Sequence, residues 1–215
     1  PNKIVAIAFT NKVAAEMKER ALKLLHGCGQ GLTVSTFHSW CAKFLRKEID
    51  VLQFPNNFTI MDEEDTTTLI KNIGVELGFK KNDDVVKYAI GYIGANKCKG
   101  YYPEDVVIDQ HEVQKIKTAN KIFHMYEERK DRMLSLDFDD LLLKTIQILQ
   151  EFPDIRAKWQ NRIDHILIDE FQDTNDVQFK LVRLLMDDHT HLYVVGDPDQ
   201  TIYTWRGANQ NIILQ

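Results

Sequence analysis

Asp169 and Glu170 stand together directly after the apolar run 166–168. This order is typical of a buried β-strand that presents two carboxylates at its carboxyl end. Such a pair suits phosphoryl transfer, because Asp169 can hold Mg²⁺ while Glu170 orients and deprotonates an attacking water. The competing interpretation is two solvated acids at a strand end. For the pair alone we favour that interpretation, because short motifs often match by chance.

Three other short apolar runs also end in polar side chains. Residues 10–12 follow the run 4–9, residues 35–38 follow a run that begins at Leu32, and Gly196 with Asp197 follows the run 192–195. In a parallel sheet the strands end at one edge, and ligands bind there. One polar strand end is commonplace, but four at the same edge predict a functional site.

The elements that must position these residues alternate between strand and helix. This alternation predicts an α/β fold with a parallel sheet, formed discontinuously from about 1–60 and 135–215. Between them, residues 61–134 show helical patterns without a long strand, including a helix that opens at the acidic stretch 62–65 and another that begins at Pro103. We therefore predict an all-helical inserted subdomain at 61–134.

The composition fits a globular protein with a sizeable core. The chain has 215 residues, of which 44% are hydrophobic and 27% are charged. No apolar run approaches the roughly 20 residues that span a bilayer, and the beginning of the chain does not resemble a signal peptide, so we expect no membrane association. Three cysteines without a C-x-x-C pair favour a reducing cytoplasm. The net charge of −5 does not by itself indicate a nucleic-acid partner.

Longer strings around the four strand ends resemble motifs of the UvrD/Rep-like superfamily 1 DNA helicases. The strings are 7–17 for motif Ia, 36–39 for motif Ib, 136–142 for the segment that re-enters the motor domain, 166–175 for motif II and 194–208 for motif III. Their order and spacing both fit the family. The resemblance covers essentially the whole chain and is weakest from about 60 to 134. It implies a RecA-like motor domain of the P-loop NTPase type, with ATP and Mg²⁺ as cofactors.

The resemblance also implies roles at the nucleotide. Asp169 would bind Mg²⁺ and Glu170 would be the general base. Gln200 would sense the γ-phosphate through its amide, which both donates and accepts hydrogen bonds. Gln172 would lie near the nucleotide and help to link its state to the DNA path. For Arg206 two roles stay open, a contact with the nucleotide or the ordering of its own loop.

On the DNA side, Tyr203 and Trp205 are predicted platforms for base stacking, joined by Phe9. Stacking on an aromatic ring tolerates every base, which suits a motor that moves along any sequence. For Phe9, at the end of an apolar strand, core packing is an equal alternative. For Trp205, in a polar loop, we favour stacking.

Backbone contacts to DNA are predicted for two strand ends. Thr36, His38 and Ser39 would hydrogen-bond the DNA backbone, and Thr10 and Asn11 would do so at the neighbouring strand end. Without the surrounding motif, His38 would be interpreted as a buried, hydrogen-bonded histidine.

The main departure from the family is that the sequence contains no G-x-x-x-x-G-K-[ST] loop to cradle the phosphates. We therefore predict a fragment of a longer ATP-dependent helicase, in which the isolated chain does not hydrolyse ATP at a useful rate. The alternative is a non-catalytic nucleic-acid-binding or protein-interaction module that retains the motor fold. For the parent, the resemblance implies 3′–5′ movement on single-stranded DNA, duplex-junction substrates and contacts with repair or replication proteins. The pathway and oligomeric state stay open.

Overall fold

A computed structural model of the chain describes residues 1–26, 28–109 and 113–197. The polypeptide forms two compact units. The first comprises Pro1–Asn56 together with the chain from Leu142 onward, and the second comprises Asn57–Leu141. In the described part, no helix combines the length and the apolar character that a membrane span requires.

Strands and helices follow one another along the described chain, with short 3₁₀ turns at Ile49–Leu52, Pro103–Asp105 and Phe171–Asp173. In chain order the elements are β1 (Ile4–Ile7), α1 (Asn11–Leu24), β2 (Thr33–Ser35), α2 (Phe37–Glu48), β3 (Thr59–Ile60), α3 (Glu63–Glu76), α4 (Asp84–Cys98), α5 (Gln114–Arg132), β4 (Ser135–Leu136), α6 (Phe138–Glu151), α7 (Pro153–Gln160), β5 (His165–Ile168), α8 (Asp176–Leu185) and β6 (His191–Val194).

The first unit is built on one sheet with the strand order β2-β1-β5-β6. Every neighbouring pair of strands is parallel. Ile7 lies opposite both Ser35 and Ile168, and Ile168 lies opposite Val194, so the four strands end level with one another. The predicted α/β class with a parallel sheet flanked by helices is confirmed.

Apolar burial explains why these short runs form the central strands. Val5, Ala6 and Ile7 of β1 are buried, as are Ile166 and Ile168 of β5. Parallel strands covered by helices are apolar along their length, and each fully buried Val or Ile side chain stabilises the fold by roughly 1.5–3 kcal/mol. The predicted apolar runs are longer than the strands, because their last residues leave the sheet at its carboxyl edge.

An aromatic cluster joins α2 to α7 in the same unit. The ring centroids of Trp40 and Phe44 are 5.6 Å apart, and the Trp159 ring lies 5.5 Å and 4.9 Å from them. The buried Glu48 carboxylate accepts a hydrogen bond from the Trp159 Nε1 at 2.9 Å and pairs with Lys158 at 2.7 Å. Glu48 therefore joins the carboxyl end of α2 to α7 by polar contacts. The amino end of α2 contributes to the candidate site.

The second unit packs α3, α4 and α5 around an apolar core. That core includes Ile70, Ile73, Ala89, Ile93, Ile122 and Phe123. Residues 61–109 and 113–134 contain no β-strand, but Thr59–Ile60 pairs in parallel with Ser135–Leu136. The sequence pattern did not predict this pair, because two residues are too few to show a strand period.

The helix predicted to begin at Pro103 is wrong. The structure has a single 3₁₀ turn at Pro103–Asp105, closed by the Asp105 carboxylate, which accepts a hydrogen bond from the backbone N–H of Tyr102 at 2.8 Å. The next residues are Val106, Val107 and Ile108. Their β-branched side chains lower helix propensity, so the proline begins a turn that the following residues do not extend.

A buried ionic cluster connects α4, α5 and the beginning of α6. The Lys97 and Lys130 side chains are 1% and 0% exposed. Lys97 Nζ lies 2.7 Å from Asp140 Oδ1 and 3.1 Å from Glu127 Oε1. Lys130 Nζ lies 2.8 Å from Glu127 Oε2 and 3.2 Å from Asp137 Oδ2. Two ammonium groups are therefore shared among three carboxylates, and all five groups are largely shielded from water.

Hydrogen bonds and charge together stabilise this cluster. Burial alone would lower the pKa of Lys97, but Asp140, Asp137 and Glu127 outweigh it and hold that pKa well above its ordinary value. Asp137 and Asp140 each accept the other's backbone N–H, at 2.9 and 3.0 Å, which caps the start of α6. The Tyr126 hydroxyl also donates to Asp137, at 2.7 Å.

Removing one cation from the cluster should be costly. We expect Lys130→Met to lower the free energy of unfolding by about 3–5 kcal/mol, because it leaves Lys97 as the one counter-charge to three carboxylates. Urea unfolding of the 215-residue chain measures this change. The control is Lys87→Met, whose exposed ion pair with Asp84 spans 3.9 Å and should contribute about 1 kcal/mol or less. Equal losses for the two variants would show that the buried cluster does not stabilise the unit.

Asp139 should make the stability of the chain depend on pH. Burial, with the nearby charge of Asp137, raises the pKa of Asp139 from 3.8 to about 6. A raised folded-state pKa means that the folded protein holds this proton more tightly than the unfolded chain, so stability falls as the pH rises from about 4 through 6.

Asp139→Asn removes the titrating carboxyl. We expect it to stabilise the chain by about 1–3 kcal/mol at pH 8, with the difference shrinking towards pH 4. Denaturant unfolding across this pH range, with the exposed Asp131→Asn as control, measures the effect. A difference that does not change with pH would rule out titration of Asp139 as its cause.

Candidate functional site

The carboxyl edge of the sheet brings the four predicted strand ends together. Backbone hydrogen bonds continue across this edge beyond the strands, from Ala8 N to Ser35 O at 3.0 Å and from Asp169 N to Ile7 O at 3.0 Å. Val195 N donates to Ile168 O at 2.9 Å. Residues that lie far apart in sequence are thus neighbours at one edge, with the turn after β5 between those after β1 and β6.

Asp169 and Glu170 occupy a sharp turn immediately after β5. Glu170 has φ 50° and ψ 45°, the left-handed region that favours glycine. The Asp169 Oδ1 atom accepts a hydrogen bond from the Glu170 backbone N–H at 3.0 Å and so supports this conformation. A non-glycine residue here costs roughly 1–3 kcal/mol, and such strain persists where the surrounding structure enforces it.

The Asp169 side chain lines an open cavity of about 350 Å³. Its other lining residues lie on one face of α1 and are Val13, Glu16, Met17, Arg20, Ala21 and Leu24. One Asp169 oxygen is used by the turn, which leaves the other to face a ligand. Mg²⁺ is commonly held by one or two carboxylates together with the phosphates of a substrate. The half-buried Asp169, followed by the exposed Glu170, fits that donor set.

Gln172 lies buried behind Glu170, with 1% of its surface exposed. Its Nε2 donates to Glu170 Oε2 at 2.5 Å, and its Oε1 accepts from the Asp197 backbone N–H at 3.1 Å. The side chain therefore connects the turn after β5 with the segment after β6. Nothing in the sequence pattern predicted this pairing.

A second polar cluster lies at the beginnings of α1 and α2. The Thr36 and Ser39 hydroxyls lie 3.4 Å and 3.1 Å from Asn11 Oδ1, and 3.0 Å from each other. Thr36 Oγ1 also accepts the Ser39 backbone N–H at 3.2 Å, which caps α2. The buried Thr36 is therefore engaged within the protein, while Asn11 is exposed and Ser39 half-buried.

The other predicted DNA-contacting residues near this cluster have different surroundings. Thr10 is exposed, and its hydroxyl caps α1 by accepting the Val13 N–H at 3.2 Å. Phe9 and His38 are both half-buried, so neither is a fully buried core residue. The structure thus brings Thr10, Asn11 and the 36–39 segment to the edge that also carries Asp169.

The sequence model of one protein family, the UvrD/REP helicase N-terminal domain, matches residues 1–215. The chain belongs to this family. It is 38% identical to the "Probable DNA helicase II homolog" of Mycoplasma capricolum over 218 aligned residues, which cover the whole chain and 30% of that protein. It is 38% identical to the "ATP-dependent DNA helicase PcrA" of Leuconostoc citreum and 37% identical to that of Staphylococcus aureus. The alignments cover 100% and 99% of the chain and 29% of each relative, so the chain spans about 30% of the length of the curated relatives it matches.

In this UvrD/REP helicase N-terminal domain, part of the predicted site lies beyond the described residues. Gln200, Tyr203, Trp205 and Arg206 all fall there, since the description ends at Asp197. Gln172 is buried and contacts Glu170, and its place near the nucleotide stays a prediction. Gly196 was predicted only as part of a polar strand end, although a glycine at a strand end is a visible signal of close backbone approach.

The positive φ of Glu170 in this UvrD/REP domain predicts that glycine is more stable than alanine at this position, the reverse of the order inside a helix. We expect Glu170→Gly to be more stable than Glu170→Ala by about 1 kcal/mol, because glycine carries no Cβ penalty at positive φ. At Lys18, an exposed position inside α1, the order should reverse, with alanine favoured by about 1 kcal/mol. Urea unfolding of the four variants compares the two positions. A more stable alanine at both positions would show that Glu170 is not held in a left-handed conformation in solution.

Proposed function

We propose that this chain is part of an ATP-dependent DNA helicase that couples ATP hydrolysis to movement along single-stranded DNA and to unwinding at duplex junctions. In this proposal, residues 1–60 and 135–215 belong to a RecA-like motor domain, and residues 61–134 form its helical insertion. The observation that carries the proposal is the carboxylate pair Asp169 and Glu170 at the carboxyl edge of a parallel sheet, in a chain that belongs to a helicase family.

The nucleotide chemistry would divide between the two carboxylates. Asp169 would hold Mg²⁺, which when bound neutralises charge on the nucleotide phosphates. Glu170 would orient the attacking water and accept its proton. Gln200 would contact the γ-phosphate, and Arg206 would contact the nucleotide or order its loop. The support for this division is the position of Asp169 on the cavity wall, with Glu170 exposed beside it.

The DNA contacts would lie at the other strand ends of the same edge. Asn11, Ser39 and His38 would contact the DNA backbone, with Thr10 at the start of α1. Thr36 would act by holding Asn11 and Ser39 in place, because its hydroxyl is engaged with both. Phe9, Tyr203 and Trp205 would stack on bases. Asn11 and Ser39 are joined through Oδ1 and Oγ, an arrangement that leaves the Asn11 amide hydrogens to donate to a phosphate.

Among the described residues nothing pairs with the outer side of β6, which supports a larger parent protein. No strand in the described part pairs with the outer edge of β6, and Tyr193, Val194 and Val195 are 52%, 43% and 67% exposed. Exposed apolar edge strands usually require a cover. We propose that a further segment of the helicase packs there and supplies the phosphate loop that these 215 residues lack, so that the chain alone does not turn over ATP.

A non-catalytic module is the second candidate, favoured for the isolated chain by its lack of a G-x-x-x-x-G-K-[ST] loop. Such a module would bind nucleic acid or protein without turnover in any context. The two candidates differ in the activity of the full-length protein. We further propose 3′–5′ movement and a cytosolic location, while the pathway and the protein partners stay open.

The proposed base makes a specific kinetic prediction. In the full-length protein, Glu170→Gln should retain binding of ATP and DNA but lose about 10²–10⁴-fold in turnover, because the amide keeps the shape and cannot accept the proton. Steady-state ATPase rates and nucleotide binding, measured with and without single-stranded DNA, separate these effects. The matched control is Glu19→Gln, an exposed glutamate on α1 that pairs with Lys23.

Near-normal turnover in Glu170→Gln would show that Glu170 is not the general base. Asp169 and Glu170 would then be interpreted as two solvated acids at a strand end. Absence of ATPase activity in the otherwise intact full-length protein would instead favour the non-catalytic module.

A further inference from the structure

Gln172 contacts two segments of chain that the sequence separates by more than twenty residues. One end of its carboxamide donates to the Glu170 carboxylate, and the other accepts the Asp197 backbone N–H. With 1% of its surface exposed, Gln172 makes both contacts from inside the protein. The position of the proposed base is therefore connected, through one side chain, to the segment that follows β6.

We propose that Gln172 is a positioning residue for Glu170, and that Gly196 lacks a side chain so that this connection can form. The proposal rests on the proposed function, in which Glu170 is the general base. It gives Gln172 an action through Glu170, in addition to its predicted place near the nucleotide. The same connection makes the geometry of Glu170 depend on the segment after β6.

The chemistry of the contact requires a carboxamide. Among side chains, only Asn and Gln offer an N–H donor and a carbonyl acceptor on one planar group without charge. A glutamate at position 172 would lose the donor and place a second negative charge against Glu170. A methionine would keep the volume but leave the Asp197 N–H and the Glu170 oxygen without their partner.

Close packing against Gln172 requires a glycine at position 196. A Cβ built on Gly196 would lie 2.3 Å from Gln172 Oε1 and 3.0 Å from the Phe171 backbone N. The first distance is far inside van der Waals contact, so any side chain would displace the carboxamide. The Phe171 N–H also donates to Val195 O at 2.9 Å, which fixes the backbone on both sides of the approach.

The connection matters because Glu170 has few other constraints. Its side chain is exposed, and a glutamate has three rotatable bonds. A general base must lie within hydrogen-bond reach of the water it activates, and a misplacement of about 1 Å can cost about 10²-fold in rate. Holding one carboxylate oxygen leaves the other to face the water, in one orientation.

The contact itself can be tested in the 215-residue chain without any activity. Amide hydrogen exchange, followed by NMR, reports the protection of the Asp197 N–H. We expect that protection to fall about tenfold in Gln172→Met and in Gly196→Ala, the loss of one hydrogen bond. The control is Gln160→Met. The Gln160 carboxamide also makes two hydrogen bonds, in which Nε2 donates to Leu184 O at 3.0 Å and to Met186 O at 2.9 Å, but both partners precede β6 in the chain. Unchanged protection of Asp197 in both site variants would overturn the proposal.

The positioning role is tested by a double-mutant cycle in the full-length protein. Gln172→Met should lower kcat about 10–100-fold with the KM for ATP changed less than about twofold, because binding does not require an oriented base. In a Glu170→Gln background, the same change should have almost no further effect on single-turnover rates. Gly196→Ala should reproduce the loss with Gln172 intact, and Gln160→Met should leave kcat unchanged.

The outcomes separate the two proposals. An equal loss from Gln172→Met in both backgrounds would overturn the positioning role, because a general structural defect does not depend on the carboxylate. Wild-type kcat in Gln172→Met and Gly196→Ala would do the same, with melting temperatures confirming that both variants are folded. Normal turnover in Glu170→Gln alone would overturn the proposed base instead.

Discussion

The parallel register of β2, β1, β5 and β6 is the constraint on which the candidate site depends. Because Ile7 is level with Ser35 and Ile168, and Ile168 with Val194, four separate segments leave the sheet at one edge. Apolar burial of Val5, Ala6 and Ile7 in β1 and of Ile166 and Ile168 in β5 keeps these two strands at the centre of the sheet. This register sets the positions of the carboxylates, the polar helix caps and the Gln172 contact.

Strain and burial are concentrated where the chain leaves this edge. Glu170 adopts a left-handed conformation, Gln172 is buried, and Gly196 allows the backbone to approach the carboxamide. Each feature costs stability or restricts the sequence, and each acts on the same few atoms around the Glu170 carboxylate. A general base gains from such preorganisation, because no reorganisation is then needed at the moment of reaction.

The second unit contains a cluster of buried charges. Lys97 and Lys130 contact carboxylates on α5 and at the start of α6, and every one of these charges would be costly alone. The cluster joins α4, α5 and the start of α6 through their side chains. The capping pair Asp137 and Asp140 thereby defines both the start of α6 and the centre of the cluster.

The sequence by itself determined the α/β class, the alternation of strands and helices in the unit that contains the four-stranded sheet, and the place of Asp169 and Glu170 at a strand end. These features rest on local patterns: apolar runs, polar caps and acidic residues after a strand. The tertiary structure alone decided the left-handed turn at Glu170, the contacts of Gln172, and the partners of Lys97, which lie 30 to 43 residues away. The physical reason is that a charge or an amide shows its chemistry in the sequence, whereas its partner is set by which backbone segments the packed core brings within about 3 Å.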